Sequence, residues 1–211
     1  MMAAHPDLEQ GLVALGLTSK AEYGDQLQHL LDLLLRWNRV YNLTSVRDPQ
    51  AMIPLHLLDS LAVRPFVVGT RVLDVGTGGG FPGLPLAICA PAQEFVLLDS
   101  VAKKIRFVRQ AALELGLANV TAVHARVEDY PASEPFDTVI CRAFASLGEV
   151  IELTGSQLRT AGRLVLMKGR YPTTELAECP SGWEVREVTP LAVPGLDAQR
   201  HVVIVQRSDR D

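Results

Sequence analysis

The sequence predicts an α/β fold with a doubly wound, mostly parallel sheet of seven strands, and three observations support that prediction. From residue 71 onward, short β-rich runs alternate with segments that suit helices, which is typical of a parallel sheet with helices on both faces. The last two β-rich runs are separated only by a loop that contains Pro and Gly, which predicts an antiparallel C-terminal hairpin. The first sixty-odd residues have a helical pattern and predict an N-terminal helical cap.

The cap contains two helix starts. Residues 19–22 (Ser-Lys-Ala-Glu) form a capping-box pattern, and Asp48-Pro49 predicts a second start with proline in the first turn. Pro54 means that this second helix either begins late or kinks. Apolar residues at spacings of three and four predict the buried face of the first helix, and these are Tyr23, Leu27, Leu30, Leu31, Leu34 and Trp37.

The α/β part is predicted in alternating segments. The expected helices cover residues 83–89, 101–115 and 146–160. The expected strands cover residues 71–75, 94–98, 120–124, 136–141, 162–168, 183–188 and 201–206.

Length and composition indicate a chain with a well-filled core. Of its 211 residues, 48% are hydrophobic and 21% are charged, which excludes global disorder. We expect a helical cap at residues 1–65 and an α/β domain at residues 66–211.

Three scattered cysteines favour neither a disulfide framework nor a metal site, and no secretory signal or membrane helix is indicated. We therefore expect a monomeric cytoplasmic protein without a membrane partner.

The formal charge of −4 is distributed unevenly along the chain. Residues 1–35 carry −4, residues 36–109 carry +4 and residues 110–211 carry −4. The total argues against a nucleic-acid partner, whereas the basic middle segment is compatible with phosphate contacts. A solvated helix face is the alternative for the candidates in this segment, which are Arg36, Arg39, Arg47, Arg64, Lys103, Lys104, Arg106 and Arg109.

A glycine-dense turn follows the first predicted strand. Gly76, Gly78 and Gly80 follow Asp74 with the spacing D-x-G-x-G-x-G, and glycine lets a ligand approach the backbone closely. A dinucleotide site would need glycine at position 81, which is Phe81, and no Gly-Lys-Ser/Thr of a P-loop follows. The turn therefore lacks a good pyrophosphate seat.

The second predicted strand is followed by Asp99, about twenty residues past the glycine turn. A carboxylate at this place can accept hydrogen bonds from both ribose hydroxyls of an adenosine ligand. A ribose and adenine without phosphates fit S-adenosylmethionine better than NAD. The alternative is a purely structural turn with Asp99 as a helix N-cap.

The end of the fourth strand lacks known catalytic signatures. Residues 138–145 do not contain the Asn/Asp-Pro-Pro-aromatic turn of amine methylation, and Cys141 lacks the Pro-Cys or Thr-Cys pair of cytosine-C5 methylation. No set of acids and lysines for 2′-O methylation can be assembled around Lys168. A ring nitrogen such as guanine N7 has a free lone pair and needs no base, so placement alone can supply about 7–11 kcal/mol. The catalytic residues stay open.

The residues resemble one known family over nearly the whole chain. It is the bacterial ribosomal RNA small subunit methyltransferase G family, also called glucose-inhibited division protein B. The matches run in order from about residue 36 to residue 207. The segments are 41–49 (YNLTSVRDP), 56–60 (HLLDS), 73–88 (LDVGTGGGFPGLPLAI), 97–100 (LLDS), 126–128 (RVE), 142–147 (RAFASL), 167–169 (MKG) and 200–201 (RH).

The resemblance implies a fold, a reaction and a site. The fold would be that of class I S-adenosylmethionine-dependent methyltransferases. The reaction would be methylation of N7 of guanosine 527 of 16S ribosomal RNA (conventional rRNA numbering) in the small ribosomal subunit. By position, the cofactor-binding residues would be Gly76, Gly78 and Phe81 on the methionine side, Asp99 at the ribose, Val127 and Glu128 at the adenine, and Arg142 closing the site.

Three further residues are candidates for contact with the RNA. Arg47 lies in a loop-like segment, Lys168 ends the fifth strand, and Arg200 precedes the last strand. For Arg47 and Lys168 the alternative is a position that does not face the RNA, and for Arg142 the alternative to a role in the site is a surface ion pair. Two other functions also stay open at this point, a small-molecule methyltransferase and a non-catalytic ribosome assembly factor that binds the cofactor.

Overall fold

A computed structural model of the protein describes residues 6–17, 23–143 and 145–208. The predicted capping box at residues 19–22 lies outside this part of the chain. The N-terminal helices are α1 (Pro6–Ala14), α2 (Asp25–Tyr41), α3 (Pro49–Met52), a π-helical segment (Ile53–Leu58), α4 (Asp59–Ala62) and a 3₁₀ turn (Arg64–Phe66).

The remaining elements alternate as predicted. The strands are β1 (Arg71–Val75), β2 (Glu94–Asp99), β3 (Val120–His124), β4 (Phe136–Arg142), β5 (Leu158–Lys168), β6 (Trp183–Pro190) and β7 (His201–Arg207). The helices are α5 (Gly83–Cys89), α6 (Ala102–Glu114), α7 (Leu147–Thr154) and α8 (Thr173–Ala177), with 3₁₀ turns at Val127–Asp129 and Gly155–Gln157.

The seven strands form one sheet in the order β3-β2-β1-β4-β5-β7-β6. The first five strands are parallel, and β7 is antiparallel to both of its neighbours. This confirms the predicted fold class, including the antiparallel C-terminal hairpin. The strand order reverses at β1 and β4, so the carboxyl ends of these strands mark the crevice where ligands bind in open α/β sheets.

One predicted helix was wrong at its C-terminal end. A helix was expected over residues 146–160, but α7 ends at Thr154 and β5 already begins at Leu158. Leu158 pairs with Phe136 on β4, and the register shifts between Phe136 and Thr138. Residues 158–161 are therefore held in the strand by long-range pairing across a β-irregularity, which the local pattern does not reveal.

The cap helices form where the apolar pattern places them. Leu27, Leu30, Leu31 and Leu34 are buried on one face of α2. Asp48 caps α3 by accepting a hydrogen bond from the backbone N–H of Gln50. Proline lacks the N–H that an α-helix needs, and the chain passes Pro54 in the π-helical segment.

The apolar residues form two clusters, one on each face of the sheet. Val72 on β1 belongs to a cluster that also contains the buried residues of the cap, α5 and α6. Leu73, the next residue, belongs to the cluster beneath α7. The cap therefore shares a hydrophobic core with one face of the sheet. Within the described residues, no helix is long and apolar enough to cross a membrane.

Candidate functional site

A cleft of about 310 Å³ opens at the carboxyl ends of β1, β2 and β4. We call it the strand-end cleft, and it lies at the crevice expected from the strand order. Its lining residues are Gly76, Leu98, Asp99, Ser100, Val101, Lys104, Ala125, Arg126, Val127, Glu128 and Ala143.

The glycine-dense turn forms one wall of the cleft. Gly76 and Gly78 have φ angles of 68° and 60°, a region that other residues rarely adopt. The backbone N–H groups of Gly76 and Thr77 donate to the carbonyl oxygen of Leu98, which ties the turn to the end of β2. Around Gly78 the nearest atoms to an added Cβ would be 3.9 Å and 4.0 Å away, so the loop has open space on that side.

Asp99 is buried where the turn meets β2. Its Oδ2 accepts a hydrogen bond from the Gly78 N–H at 2.9 Å, and its Oδ1 accepts one from the Val101 N–H at 2.8 Å. Lys104 Nζ lies 3.5 Å from Oδ2. A carboxylate has about four acceptor positions, so Asp99 keeps capacity for a ligand hydroxyl. The N-cap position of α6 is occupied by Val101, not by Asp99.

Asp74 is fully buried beneath the same turn. Its Oδ2 accepts hydrogen bonds from Thr77 Oγ1 at 2.6 Å and from the Gly83 N–H at 2.8 Å. Its Oδ1 is buried and has no hydrogen-bond partner within the described part of the chain. Burial raises the pKa of Asp74 to about 6, although the hydrogen bonds from Thr77 and Gly83 act in the opposite direction.

Val127 and Glu128 form the opposite wall of the cleft. They lie in a short 3₁₀ turn, where Val127 is buried and its carbonyl accepts a hydrogen bond from Gln157 Nε2 at 3.0 Å. Glu128 is exposed and lies 3.5 Å from Arg126. The structure therefore brings Gly76, Gly78, Asp99, Val127 and Glu128 to one place.

Arg142 and Phe81 lie beside the cleft and do not line it. The Arg142 guanidinium carbon is 5.8 Å from the centre of the Phe81 ring. The ring of His56 stacks on Phe81, with 5.0 Å between the ring centres. Ala143, which follows Arg142, does line the cleft and has a φ angle of 49°. Roles of Arg142 and Phe81 at the cofactor stay predictions.

Arg142 reaches across to the cap. Its Nη1 donates to the carbonyl oxygen of Leu55 at 3.0 Å and to Asp59 Oδ2 at 3.1 Å. Arg200 Nε donates to the other oxygen of Asp59 at 2.9 Å. Asp59 is only 2% exposed, so one buried carboxylate joins two arginines from different parts of the chain.

A second set of polar contacts in the cap lies close to Arg142. His56 Nε2 lies 3.0 Å from Thr44 Oγ1, and the Thr44 N–H donates to Asn38 Oδ1 at 2.9 Å. Burial, reinforced by the charge of Arg142, lowers the pKa of His56 to about 4, so the ring is neutral at pH 7. We call these residues the cap seam, and its members are Asn38, Thr44, His56, Asp59, Arg142 and Arg200.

Arg47 and Lys168 have different surroundings. Arg47 is exposed, and its guanidinium donates to the Asn38 carbonyl oxygen and to Asn42 Oδ1. Lys168 is largely buried, with Nζ 2.7 Å from Glu175 Oε2 and 3.1 Å from the Ala145 carbonyl oxygen. Contact of Arg47, Lys168 or Arg200 with RNA stays a prediction.

Four of the other basic candidates have protein partners. Lys104 pairs with Asp99, and Arg36 lies 3.5 Å from Glu114. Arg109 donates to the Ala122 carbonyl oxygen, and Arg106 lies over the ring of Tyr41. These contacts reduce the number of free cations available for phosphates on this face.

Cys141 does not have the properties of a nucleophile. The thiol is buried in the sheet, and burial raises its pKa to about 12. The reactive thiolate is therefore absent at neutral pH. Among the described residues, no group of three or more His, Cys, Asp or Glu side chains could hold a metal ion.

Two features of this region were not predicted from the sequence, namely the role of Asp59 and the pairing of Lys104 with Asp99. Asp59 stood within a segment used for the family resemblance, and its signal was a carboxylate inside an apolar run (HLLDSLAV). A charge in such a run predicts a buried partner. The partners themselves lie 83 and 141 residues away in the chain, so no local pattern identifies them.

The model of the family described as rRNA small subunit methyltransferase G matches residues 24–203. The chain belongs to this family. The match confirms the resemblance derived from the motifs, and it spans both the cap seam and the strand-end cleft.

Two relatives named ribosomal RNA small subunit methyltransferase G illustrate this family. The protein of Methylococcus capsulatus is 50% identical over 204 residues, which cover 97% of this chain and 99% of that protein. The protein of Idiomarina loihiensis is 51% identical over 189 residues, which cover 90% of this chain and 91% of that protein.

Solved structures with low identity support the fold. A SAM-dependent methyltransferase from Aquifex aeolicus aligns with a TM-score of 0.56 at 18% identity, over 75% of this chain and 93% of that chain. The precorrin-6y C5,15-methyltransferase of Geobacter metallireducens aligns with a TM-score of 0.56 at 18% identity, over 80% and 93%. Both confirm the class I methyltransferase fold.

Proposed function

We propose that this protein transfers a methyl group from S-adenosylmethionine to 16S ribosomal RNA in the small ribosomal subunit, at N7 of guanosine 527. The observation that carries the proposal is the strand-end cleft in a member of this family, with the carboxylate of Asp99 facing the glycine turn. Relatives about 50% identical over nearly the whole chain are named for methylation of small-subunit rRNA.

The residues of the cleft suit the cofactor. Asp99 has acceptor capacity for the ribose hydroxyls, and the open space at Gly78 admits a ligand next to the backbone. Among the described residues the buried Asp74 Oδ1 has no partner, and it can accept a hydrogen bond from a bridging water. When bound, S-adenosylmethionine supplies an electrophilic methyl group on its sulfonium sulfur.

The acceptor chemistry fits what the chain provides. Guanine N7 carries a lone pair and no proton, so the protein has to orient the base and exclude water rather than remove a proton. Arg142 is well suited to orientation, because a guanidinium can donate to the O6 atom of guanine. The protonated thiol of Cys141 takes no covalent part at neutral pH.

The RNA partner is recognised mainly as part of a particle. Arg47 is exposed, whereas Lys168 and Arg200 would have to share or exchange their carboxylate partners to reach a phosphate. Because Lys104, Arg36, Lys168 and Arg200 are paired with carboxylates, fewer cations are free for phosphates, which supports weak binding to naked RNA. We therefore propose that a monomer acts in the cytoplasm on the assembled or partly assembled small subunit.

The test is a methylation map. The protein is incubated with small subunits that lack the modification and with radiolabelled S-adenosylmethionine, and the modified guanine is located by borohydride–aniline cleavage. We expect label and cleavage at guanosine 527. Label elsewhere in 16S rRNA would refute the position, and an absence of label in rRNA would refute the reaction.

Two other outcomes would identify the alternatives. Label in a metabolite extract together with indifference to ribosomal particles would identify a small-molecule methyltransferase. Cofactor binding without turnover, with Arg142→Ala retaining full biological function, would identify a non-catalytic assembly factor. A short naked loop RNA that binds as tightly as the subunit at matched salt would refute the particle dependence.

A further inference from the structure

Three charged side chains meet where the cap joins the carboxyl edge of the sheet. Asp59 comes from α4, Arg142 from the end of β4, and Arg200 from the segment that enters β7. The two arginines approach different oxygens of the carboxylate, at 3.1 Å and 2.9 Å. Together the three side chains carry one net positive charge, and all three are largely buried.

Stability alone is a weak reason for such an arrangement. Desolvation of a buried carboxylate between two guanidinium groups offsets much of their attraction, so an apolar contact of similar volume can stabilise a protein as well. An ion pair with short hydrogen bonds does, however, fix the position of a guanidinium more closely than apolar packing does. The distinctive property of this cluster is therefore that it holds the two guanidinium groups in defined positions.

Arg142 is the arginine whose position matters most for a substrate. Its side chain is 23% exposed, and within the described part of the chain only Nη1 has hydrogen-bond partners, the Leu55 carbonyl and Asp59. A guanidinium has five N–H donors, so the Nε and Nη2 donors remain for a substrate. The next residue, Ala143, lines the strand-end cleft.

We propose that Asp59 is a positioning residue for methyl transfer, whose carboxylate holds Arg142 and Arg200 in register at the substrate side of the cleft. The cap thereby aligns the acceptor, although it contributes little to the cleft itself. This inference rests on the proposed function, because it assigns Asp59 a role in that same reaction.

The proposal predicts an unusual combination of effects for Asp59→Asn. The substitution removes a negative charge beside two arginines, so affinity for the RNA polyanion is retained or increases. The two guanidinium groups lose their common anchor, and a misplacement of about 1 Å can slow a reaction by about 100-fold. We expect kcat to fall by about 10- to 100-fold, with an unchanged or lower KM for the subunit.

The experiment compares Asp59→Asn with Asp137→Asn. Asp137 also joins separate segments and pairs with an arginine, since it accepts hydrogen bonds from the N–H groups of Thr70 and Arg71 and lies 2.9 Å from Arg159. It stands near the start of β4, at the opposite edge of the sheet. We expect Asp137→Asn to lower stability and to leave kcat and KM unchanged. Similar kinetics for both variants would overturn the proposal.

A double-mutant cycle tests whether Asp59 acts through Arg142. In an Arg142→Lys background, kcat is already reduced, and Asp59→Asn should lower it little further. Independent, multiplicative losses would overturn the proposal. Binding of S-adenosylhomocysteine, measured by calorimetry, should change less in Asp59→Asn than kcat does, because the Asp99 carboxylate is held by the N–H groups of Gly78 and Val101 and not by Asp59.

A second measurement needs no folded variant of Asp59. The Nε–H resonance of Arg142 in the unaltered protein is assigned by its absence in Arg142→Lys, and its order parameter is measured. A held side chain gives a value near the rigid limit of about 0.85, and a value below about 0.6 would overturn the proposal. If the unaltered protein methylates no subunit, the proposed function fails. If it methylates the subunit and Asp59→Asn does so equally well, only the role of Asp59 fails.

Discussion

The strand-end cleft and the cap seam adjoin each other but are built in different ways. The cleft is formed by backbone groups and short side chains from the ends of consecutive strands, with Asp99 fixed by N–H donors of Gly78 and Val101. The cap seam is formed by side chains that are far apart in sequence, such as Asp59 and Arg200. The cleft thus has a short sequence signature, whereas the seam exists only when the cap is packed on the sheet.

Burial shifts the pKa of one ionisable group in each region, and the two shifts have opposite directions. Asp74 beneath the cleft has a raised pKa, because a carboxylate loses hydration on burial. His56 in the seam has a lowered pKa, because burial and Arg142 disfavour its imidazolium form. Near pH 5 the neutral form therefore predominates for both Asp74 and His56. The charged side chains of the cap seam are its two arginines and Asp59.

The largest expected effect tests whether the cap and the sheet unfold together. Leu34 is completely buried in the shared core and lies against Gly79 of the glycine turn. Leu34→Ala should lower the free energy of unfolding by about 2–5 kcal/mol, in one transition. Urea titrations in a Trp183→Phe background would follow Trp37 fluorescence and far-ultraviolet circular dichroism. Two separate midpoints would contradict a single cooperative core.

The second prediction sharpens the contrast between Asp74 and His56 by pH. The pKa of Asp74 in the folded protein lies above the ordinary value of 3.8, so this group destabilises the fold increasingly as pH rises from about 4 to 6. The pKa of His56 in the folded protein lies below the ordinary value of 6.5, so the stability associated with this group is lost as pH falls from about 6.5 to 4. Each effect amounts to about 3 kcal/mol.

Two substitutions separate the opposite effects of Asp74 and His56 on the pH dependence of stability. Relative to the unaltered protein, Asp74→Asn should gain stability progressively from pH 4 to 6. His56→Phe removes the titrating ring and should show a smaller deficit, or a gain, at pH 4 than at pH 6.5. The measurement is urea unfolding at half-unit intervals of pH. Parallel profiles for both variants and the unaltered protein would show that neither group is linked to folding.

The third prediction tests the cleft by ligand affinity. Asp99→Asn removes the charge that would accept the ribose hydroxyls, and a hydrogen bond to a charged group is worth about 1.5–3 kcal/mol. The dissociation constant for S-adenosylhomocysteine should therefore rise by roughly 10- to 150-fold. Calorimetry checks this value, with Asp137→Asn as the matched control. Equal affinities for the two variants would remove Asp99 from the cofactor site.

The smallest effect is expected for an exposed contact between the cap and α6. Glu114 lies 3.5 Å from Arg36 and 3.7 Å from His29, and all three side chains are substantially exposed. Glu114→Gln should change the free energy of unfolding by less than about 1 kcal/mol, and less again at high salt. A loss as large as that of Leu34→Ala would mean that exposed charges, rather than the shared apolar core, hold the cap.

The strands and the cleft were predictable because their signals are local. A β-rich run followed by glycines places β1 and its turn, and the start of every parallel strand except β5 agrees with the prediction. The beginning of β5 was missed because Leu158 is recruited by pairing with Phe136, across a shift in register. The boundary between cap and α/β domain at residue 65 stays a prediction, since the hydrophobic core runs across it.

Patterns along the chain were enough to predict the α/β class, the glycine turn, the acid that follows the second strand and the family. Each is specified by residues close together in the chain, where periodicity and backbone requirements act directly. The pairing of Lys104 with Asp99 and the contacts of Asp59 with both Arg142 and Arg200 become visible only in the folded chain. Such pairs depend on which side chains the packing brings within about 4 Å and removes from water. No spacing along the chain encodes that.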